Sequence, residues 1–191
     1  LWIGTASVYG ADQNKLEAGG LNKMDKETGT FRRFKHDPEN PNSLINNKVS
    51  AIFEDSKGTL WIGTAGDGLH TMDKSNGKII RHQYDPNQPK KLSRPPLDSS
   101  ITNDHITFII EDVTGAIWIG TSAAGLNYYN PETKEITHFE SENNKTGAFI
   151  DNATWAAFVS RDGVLWISSI FGALYRIDPL RSEIPHVDLP G

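Results

Sequence analysis

The sequence predicts an all-β chain built as blades of a β-propeller, about four of them in 191 residues, and three observations carry that expectation. A five-residue run, Leu1-Trp2-Ile3-Gly4-Thr5, returns as Leu60-Trp61-Ile62-Gly63-Thr64, as Ile117-Trp118-Ile119-Gly120-Thr121 and, drifted, as Leu165-Trp166-Ile167-Ser168-Ser169. A small residue and a leucine follow each copy, at Gly20-Leu21, Gly68-Leu69, Gly125-Leu126 and Ala173-Leu174, with the leucines 48, 57 and 48 residues apart. Each unit resolves into four short β-prone runs divided by turn residues, with no helical period. A four-stranded unit of about 40 to 50 residues in tandem is the pattern of propeller blades and excludes leucine-rich and helical repeats.

The second unit shows the elements most plainly. Val49 to Glu54 is apolar and β-prone, Thr59 to Thr64 carries the tryptophan, Leu69 to Met72 follows a glycine-rich break, and Lys78 to Tyr84 closes the unit. Between the first two runs, Glu54-Asp55-Ser56-Lys57-Gly58 matches Glu111-Asp112-Val113-Thr114-Gly115; between the last two, Asp25-Lys26-Glu27-Thr28-Gly29 matches Asp73-Lys74-Ser75-Asn76-Gly77. Both read as hairpin turns, with glycine supplying positive φ and aspartate bonding the local backbone. The tryptophan and its neighbours are apolar without strict alternation because a blade must bury both flat faces against its neighbours. Residues 1–191 thus read as a partial β-propeller with blade pieces at 1–35, lacking its first strand, and at 49–84, 105–139 and 154–188. An open array leaves an apolar face and an unpaired edge in water, so the expectation is about half of a larger ring, with closure of four blades as the alternative.

Composition narrows the function. Lys plus Arg is 19 against Asp plus Glu 24, a formal net charge of -5, and no basic run is long enough to follow a phosphate backbone, so nucleic acid is not an expected partner. The longest purely apolar stretches fall far short of the roughly 20 residues of a membrane helix. With no cysteine, thiolate metal sites, disulfides and cysteine nucleophiles are excluded. The six histidines show no metal-ligand spacing, and no Walker loop, Rossmann fingerprint or nucleophile elbow appears, so no cofactor or metal is expected.

The run Asn42-Ser43-Leu44-Ile45-Asn46-Asn47-Lys48-Val49-Ser50-Ala51-Ile52-Phe53-Glu54-Asp55, followed by Gly58-Thr59-Leu60-Trp61-Ile62-Gly63-Thr64, closely resembles the two-component regulator propeller repeat. The resemblance implies seven-bladed propellers, often two in tandem, in the periplasmic sensor region of hybrid two-component histidine kinases of Bacteroidetes and related bacteria. It also implies a membrane-anchored, homodimeric receptor responding to polysaccharide breakdown products, whose remaining blades and neighbouring domains are partners within the same chain.

Residues that break the repeat are the better site candidates, because a residue present once per blade is most simply explained by blade geometry. Two units carry insertions, within Ala6 to Gly20 and between Pro89 and Ile101, and strand alternation puts both on one end of the propeller. The first offers Tyr9 and Asp12; the second offers Lys90, Lys91 and Arg94, a basic cluster able to meet a carboxylate or sulfate on an oligosaccharide or other small ligand. Residues opening each unit's first strand, Asn47, Asp104 and Asn152, belong to the same end, where they bind sugar hydroxyls or a cation, or else cap turns, the commoner role. Trp155 stands in the place of Ser50 and Thr107. Exposed, it would make a sugar-stacking platform; the small Ala156 and Ala157 beside it favour a role as core volume.

The expected function is therefore a non-enzymatic sensor segment that binds a glycan-derived ligand or transmits its binding. A propeller glycoside hydrolase or polysaccharide lyase is the first alternative, and a protein-binding scaffold the second. The paired carboxylates that an enzyme would need occur here only as the repeated Glu54-Asp55 and Glu111-Asp112 turns, which read as structural.

Overall fold

The computed structural model describes residues 1–6, 19–65, 68–82, 87, 105–134, 136–139, 152–181 and the backbone of 186–187. Every regular element among them is a β-strand. The first sheet has three strands, β1 (Trp2–Thr5), β2 (Gly20–Met24) and β3 (Phe31–Phe34). The second has four, β4 (Val49–Glu54), β5 (Leu60–Thr64), β6 (Leu69–Met72) and β7 (Ile79–His82). The third runs through β8 (Ile106–Glu111), β9 (Ile117–Thr121), β10 (Leu126–Tyr129) and β11 (Ile136–Phe139), the fourth through β12 (Thr154–Val159), β13 (Leu165–Ser169), β14 (Leu174–Ile177) and β15 (His186–Val187). Each is an antiparallel meander in sequence order, and successive sheets touch most closely through their first strands, β4 to β8 to β12. The chain is all-β and folds as propeller blades.

The hairpin turns carry the predicted chemistry. Gly29, Gly58, Gly77 and Gly115 have φ of 68, 83, 78 and 82°, and the Gly29 and Gly77 amides donate to Asp25 and Asp73 carbonyls at 3.0 and 2.8 Å. In the third sheet Lys134 takes the corresponding place, at φ 63°, with the same amide bond to the Asn130 carbonyl at 2.9 Å. A side chain there is tolerated at some conformational cost because the turn's aspartate or asparagine and its backbone bonds dictate the geometry.

The core lies between sheets rather than within them. One cluster joins Leu21, Trp2 and Phe34 of the first sheet to Val49, Leu60 and Ile62 of the second. A second joins Trp61 and Leu69 to Ile106, Ile117 and Ile119, and a third joins Phe108, Trp118 and Leu126 to Leu165, Ile167 and Tyr175. The repeated tryptophan of each of the first three sheets thus points forward, into the following sheet. Its motif glycine is required by the same contact: a Cβ on Gly4 would lie 2.7 Å from Val49 Cγ1, and one on Gly63 would lie 2.6 Å from Ile106 Cγ2. In the fourth sheet, whose forward face meets no further sheet among the described residues, Ser168 replaces the glycine and Phe158 is 62% exposed.

A second repeated device is polar. Asn22 and Asn127 donate from Nδ2 to the Ile3 and Ile119 carbonyls, both at 3.3 Å, and His70 stands at the same place with Nδ1 3.3 Å from the Ile62 carbonyl. The His70 Nε2 accepts the Ile45 amide at 3.0 Å, which assigns the Nδ1–H tautomer of a neutral ring. Burial pushes the His70 pKa down to about 4, with nearby His82 and Arg81 acting in the same direction against a carbonyl contact that favours charge. Half-buried His82, stacked 6.2 Å from Trp61, is also lowered by burial to about 4.

The unfolded chain takes up these protons near pH 6.5 and the folded chain only near 4, so folding stability is highest above 6.5 and falls as pH drops between those values. For His70 the loss is about 3 kcal/mol by pH 4. Urea melts at pH 7 and pH 4.5 should show the fall, and His70→Asn, which keeps the bond made by Asn22 and Asn127, should remove about half of it and leave the share of His82; an equal slope in the variant would assign the acid sensitivity to other groups.

Candidate functional site: a pocket at the converging inner strands

Each innermost strand has a bulge at its second residue. Val49 pairs with Thr64 and Ala51 with Gly63, leaving Ser50 as the extra residue; Thr107 is extra between Ile106 and Phe108, and Trp155 between Thr154 and Ala156. A bulge re-aims the side chain it carries. Here the three bulge residues line one pocket of about 240 Å³, together with Ala6, Val49, His105 and Ile106. None of the described lining residues is a carboxylate, lysine or arginine.

Two features distinguish this pocket from a packing gap. Trp155 is 51% exposed, so the sequence's preference for a core role is overturned: the bulge turns the indole out of the sheet, and Ala156 is exposed rather than making room for it. Ala6 holds φ of 107°, a conformation that costs a non-glycine residue free energy and tends to persist where surrounding structure or function demands it. Ser50 Oγ, by contrast, is buried away from the pocket and has no hydrogen-bond partner, alone among the described side chains in this respect, whereas Thr107 Oγ1 meets Thr154 Oγ1 at 3.3 Å. An aromatic face, a hydroxyl and an imidazole around a water-sized-to-sugar-sized space can hold a ring with one apolar face and polar edges.

The other candidates divide. Asn47 sits beside the pocket strand β4, where its Oδ1 accepts the His36 amide at 2.6 Å and so ties the connection between the first two sheets. Asn152 is half-buried, two residues before Thr154 at the start of β12, and its carbonyl accepts the Gly125 amide at 2.9 Å. Tyr9, Asp12, Lys90, Lys91, Arg94 and Asp104 lie outside the described residues, as do the insertions that carry the first five. Ser50, Thr107, His105 and Ala6 were not among the candidates read from the sequence; the alignment of Ser50 and Thr107 with Trp155 was the signal that could have found two of them.

The repeated carboxylates are structural. Asp55 and Asp112 are buried, and their Oδ2 atoms accept the Trp61 and Trp118 indole N–H groups at 2.8 and 2.7 Å. Glu111 receives the amide and hydroxyl of Ser56 at 2.7 and 2.6 Å, clasping adjacent sheets together. Among the described residues no group of three or more His, Asp or Glu could hold a metal ion.

Comparison with known proteins agrees with this architecture. The family model described as "two component regulator propeller" matches residues 43–66, the stretch from the Ser43 turn through the Trp61 strand. No curated protein matches the chain in sequence. Among solved structures, the extracellular domain of BT4673 from B. thetaiotaomicron, described as a one component or hybrid two component system, is 21% identical with a TM-score of 0.60 over 82% of this chain. PorZ from Porphyromonas gingivalis, a surface component of the type-IX secretion system, is 14% identical (TM-score 0.60, 91% of this chain). Virginiamycin B lyase from Staphylococcus aureus, as an inactive variant with quinupristin, is 16% identical (TM-score 0.59, 92% of this chain). The chain spans 18% of the BT4673 structure, 23% of PorZ and 50% of the lyase, and at these identities the likeness is one of fold. Residues 43–66 thus match the two component regulator propeller repeat, and the other sheets repeat the same antiparallel meander.

Proposed function

We propose that this chain is the ligand-binding part of an extracytoplasmic two-component sensor, and that a glycan-derived ligand sits in the pocket formed where the inner strands converge. The observation that carries the reading is the half-exposed Trp155, at a bulge in the lining of a pocket whose other bulge residues are a serine and a threonine. An indole face against the apolar face of a sugar ring, with a hydroxyl at its edge, supplies both contact area and orientation. The matched repeat and the extracellular neighbour from B. thetaiotaomicron support a sensory, extracytoplasmic setting. In that setting the remaining blades would cover the forward face of the fourth sheet. Ligand binding would bias the arrangement of rigid domains in a dimeric, membrane-anchored receptor and so a histidine kinase elsewhere in the parent chain. Tyr9, Asp12, Asp104 and the Lys90, Lys91, Arg94 cluster belong to this proposal as contacts to outlying parts of a longer ligand.

Calorimetric titration with neutral and acidic oligosaccharides tests the reading. Saturable binding without turnover is expected, weakened about tenfold or more by Trp155→Ala, the loss typical of truncating an aromatic anchor. Unchanged affinity in that variant would move the site elsewhere, and cleavage of a polysaccharide would replace the sensor by an enzyme.

A further inference from the structure

Resting on the reading of Trp155 as the stacking platform for a glycan-derived ligand, we infer that Thr154 is the positioning residue of that platform: its hydroxyl ties the strand carrying the indole to the neighbouring sheet that lines the same pocket. Thr154 is fully buried. Its Oγ1 donates to the Thr121 carbonyl at 2.9 Å and meets Thr107 Oγ1 at 3.3 Å, so it bridges from β12 to both β9 and β8. A hydroxyl has a single hydrogen to give. That hydrogen goes to the carbonyl, so at the second contact Thr154 accepts and Thr107 donates. Packing alone does not call for a hydroxyl here. Val49 and Ile106 hold the equivalent places, and each faces the motif glycine of the sheet before it as Thr154 faces Gly120. A Cβ on Gly4, Gly63 or Gly120 would lie 2.7, 2.6 or 2.5 Å from Val49 Cγ1, Ile106 Cγ2 or Thr154 Oγ1 respectively. Among the described four-stranded sheets, the aliphatic residue gives way to a hydroxyl in the one whose bulge carries an aromatic side chain in place of Ser50 or Thr107.

A bulge residue stands outside the ladder, so the ladder of its own sheet does not fix where its side chain lies relative to the next sheet. The pocket depends on that relation, since Trp155 comes from β12 while Ile106 and Thr107 come from β8 and His105 directly precedes it. The Gly125 amide, donating to the Asn152 carbonyl at 2.9 Å, sets the spacing of the two sheets at this end, and Thr154 adds a link at the residue next to the bulge. An indole held in place before the ligand arrives spares binding the cost of ordering it.

The test compares Thr154→Val, which installs the kind of aliphatic side chain found at Val49 and Ile106, with Thr154→Ser, which keeps the hydroxyl. Trp155 emission is isolated in each protein by subtracting the spectrum of its Trp155→Phe counterpart, and quenching of that emission by acrylamide reports how the indole is held without any ligand. In Thr154→Val the indole loses its link and the quenching should steepen. Thr154→Ser should match the unaltered protein, and Gly29→Ala, which destabilises a remote turn, should leave the quenching unchanged. Titration with cellobiose, maltose, lactose and xylobiose is the second readout. For a disaccharide that binds, Thr154→Val should weaken affinity about fivefold, the cost of ordering a large side chain on binding, and Thr154→Ser should restore it. The melting temperature of Thr154→Val should fall by about 2–4 °C through the lost hydrogen bond, as it would for a merely structural threonine. Quenching and affinity equal to those of the unaltered protein, beside that lower melting temperature, would overturn the role of Thr154 and keep the glycan reading. Failure of all four disaccharides to bind the unaltered protein would overturn the glycan reading and this inference with it.

Discussion

Replacing Asp112 by Ala is expected to lower folding stability by about 3 kcal/mol, because one carboxylate satisfies four donors at once. Its Oδ2 accepts the Trp118 indole N–H at 2.7 Å, and its Oδ1 accepts the Thr114 amide, the Thr114 hydroxyl and the Ala116 amide at 2.8, 2.6 and 3.2 Å. Asp112 is 5% exposed and Trp118 is 4% exposed, so water cannot replace what is lost. The indole also sits against Tyr128 and Phe139, with ring centroids 4.9 and 5.9 Å away, and its tilt is set by the bond to Asp112. Asp112→Asn, which keeps one acceptor oxygen, should cost about half as much. Urea unfolding followed by circular dichroism measures both; a loss below about 1 kcal/mol for the alanine variant would show that the turn and tryptophan hold each other without the carboxylate.

Gly120→Ala should cost about 2–3 kcal/mol and lower the melting temperature by about 5–10 °C, through overpacking alone. The new Cβ would lie 2.2 Å from Phe108 Cε1 and 2.5 Å from Thr154 Oγ1. Phe108 belongs to the core shared with the fourth sheet, and Thr154 Oγ1 is fully buried and donates to the Thr121 carbonyl at 2.9 Å, so neither yields without loss. Gly29→Ala is the matched control. Nothing lies within 4 Å of its Cβ, but its φ of 68° charges a side chain the conformational cost of about 1–2 kcal/mol. If Gly120→Ala costs no more than the control, the sheets can separate to admit a methyl group, and the inter-sheet contact is looser than the geometry implies.

Both predictions concern residues whose importance could be read from the chain in different degrees. The recurrence of Trp-Ile-Gly announced a blade and the forward role of the tryptophan, yet not why glycine must follow it. That reason is a side chain 43 residues later in one case, Ile106 against Gly63, and 45 in another, Val49 against Gly4. The Glu-Asp turn was read as structural, which its buried bonds to the backbone and the indole bear out. The indole bond itself was not foreseen, because Asp55 and Trp61 lie on opposite sides of a hairpin turn and meet only when it closes. Trp155 shows the opposite failure: its neighbours' small volume argued for burial, and the bulge reversed the direction of its side chain.

Blade number, strand order and turn chemistry are local properties, set by residues within a few positions of each other and repeated along the chain, so they are legible in the sequence. The pocket is not local. It exists because bulges at Ser50, Thr107 and Trp155, separated by 57 and 48 residues, bring three residues to one pocket when three sheets pack side by side. A bulge leaves no mark in the hydrophobic pattern beyond a one-residue shift, and the absence of a partner for Ser50 is a fact about every atom around it. Such a property belongs to the packed molecule, since it is defined by what the rest of the chain brings near.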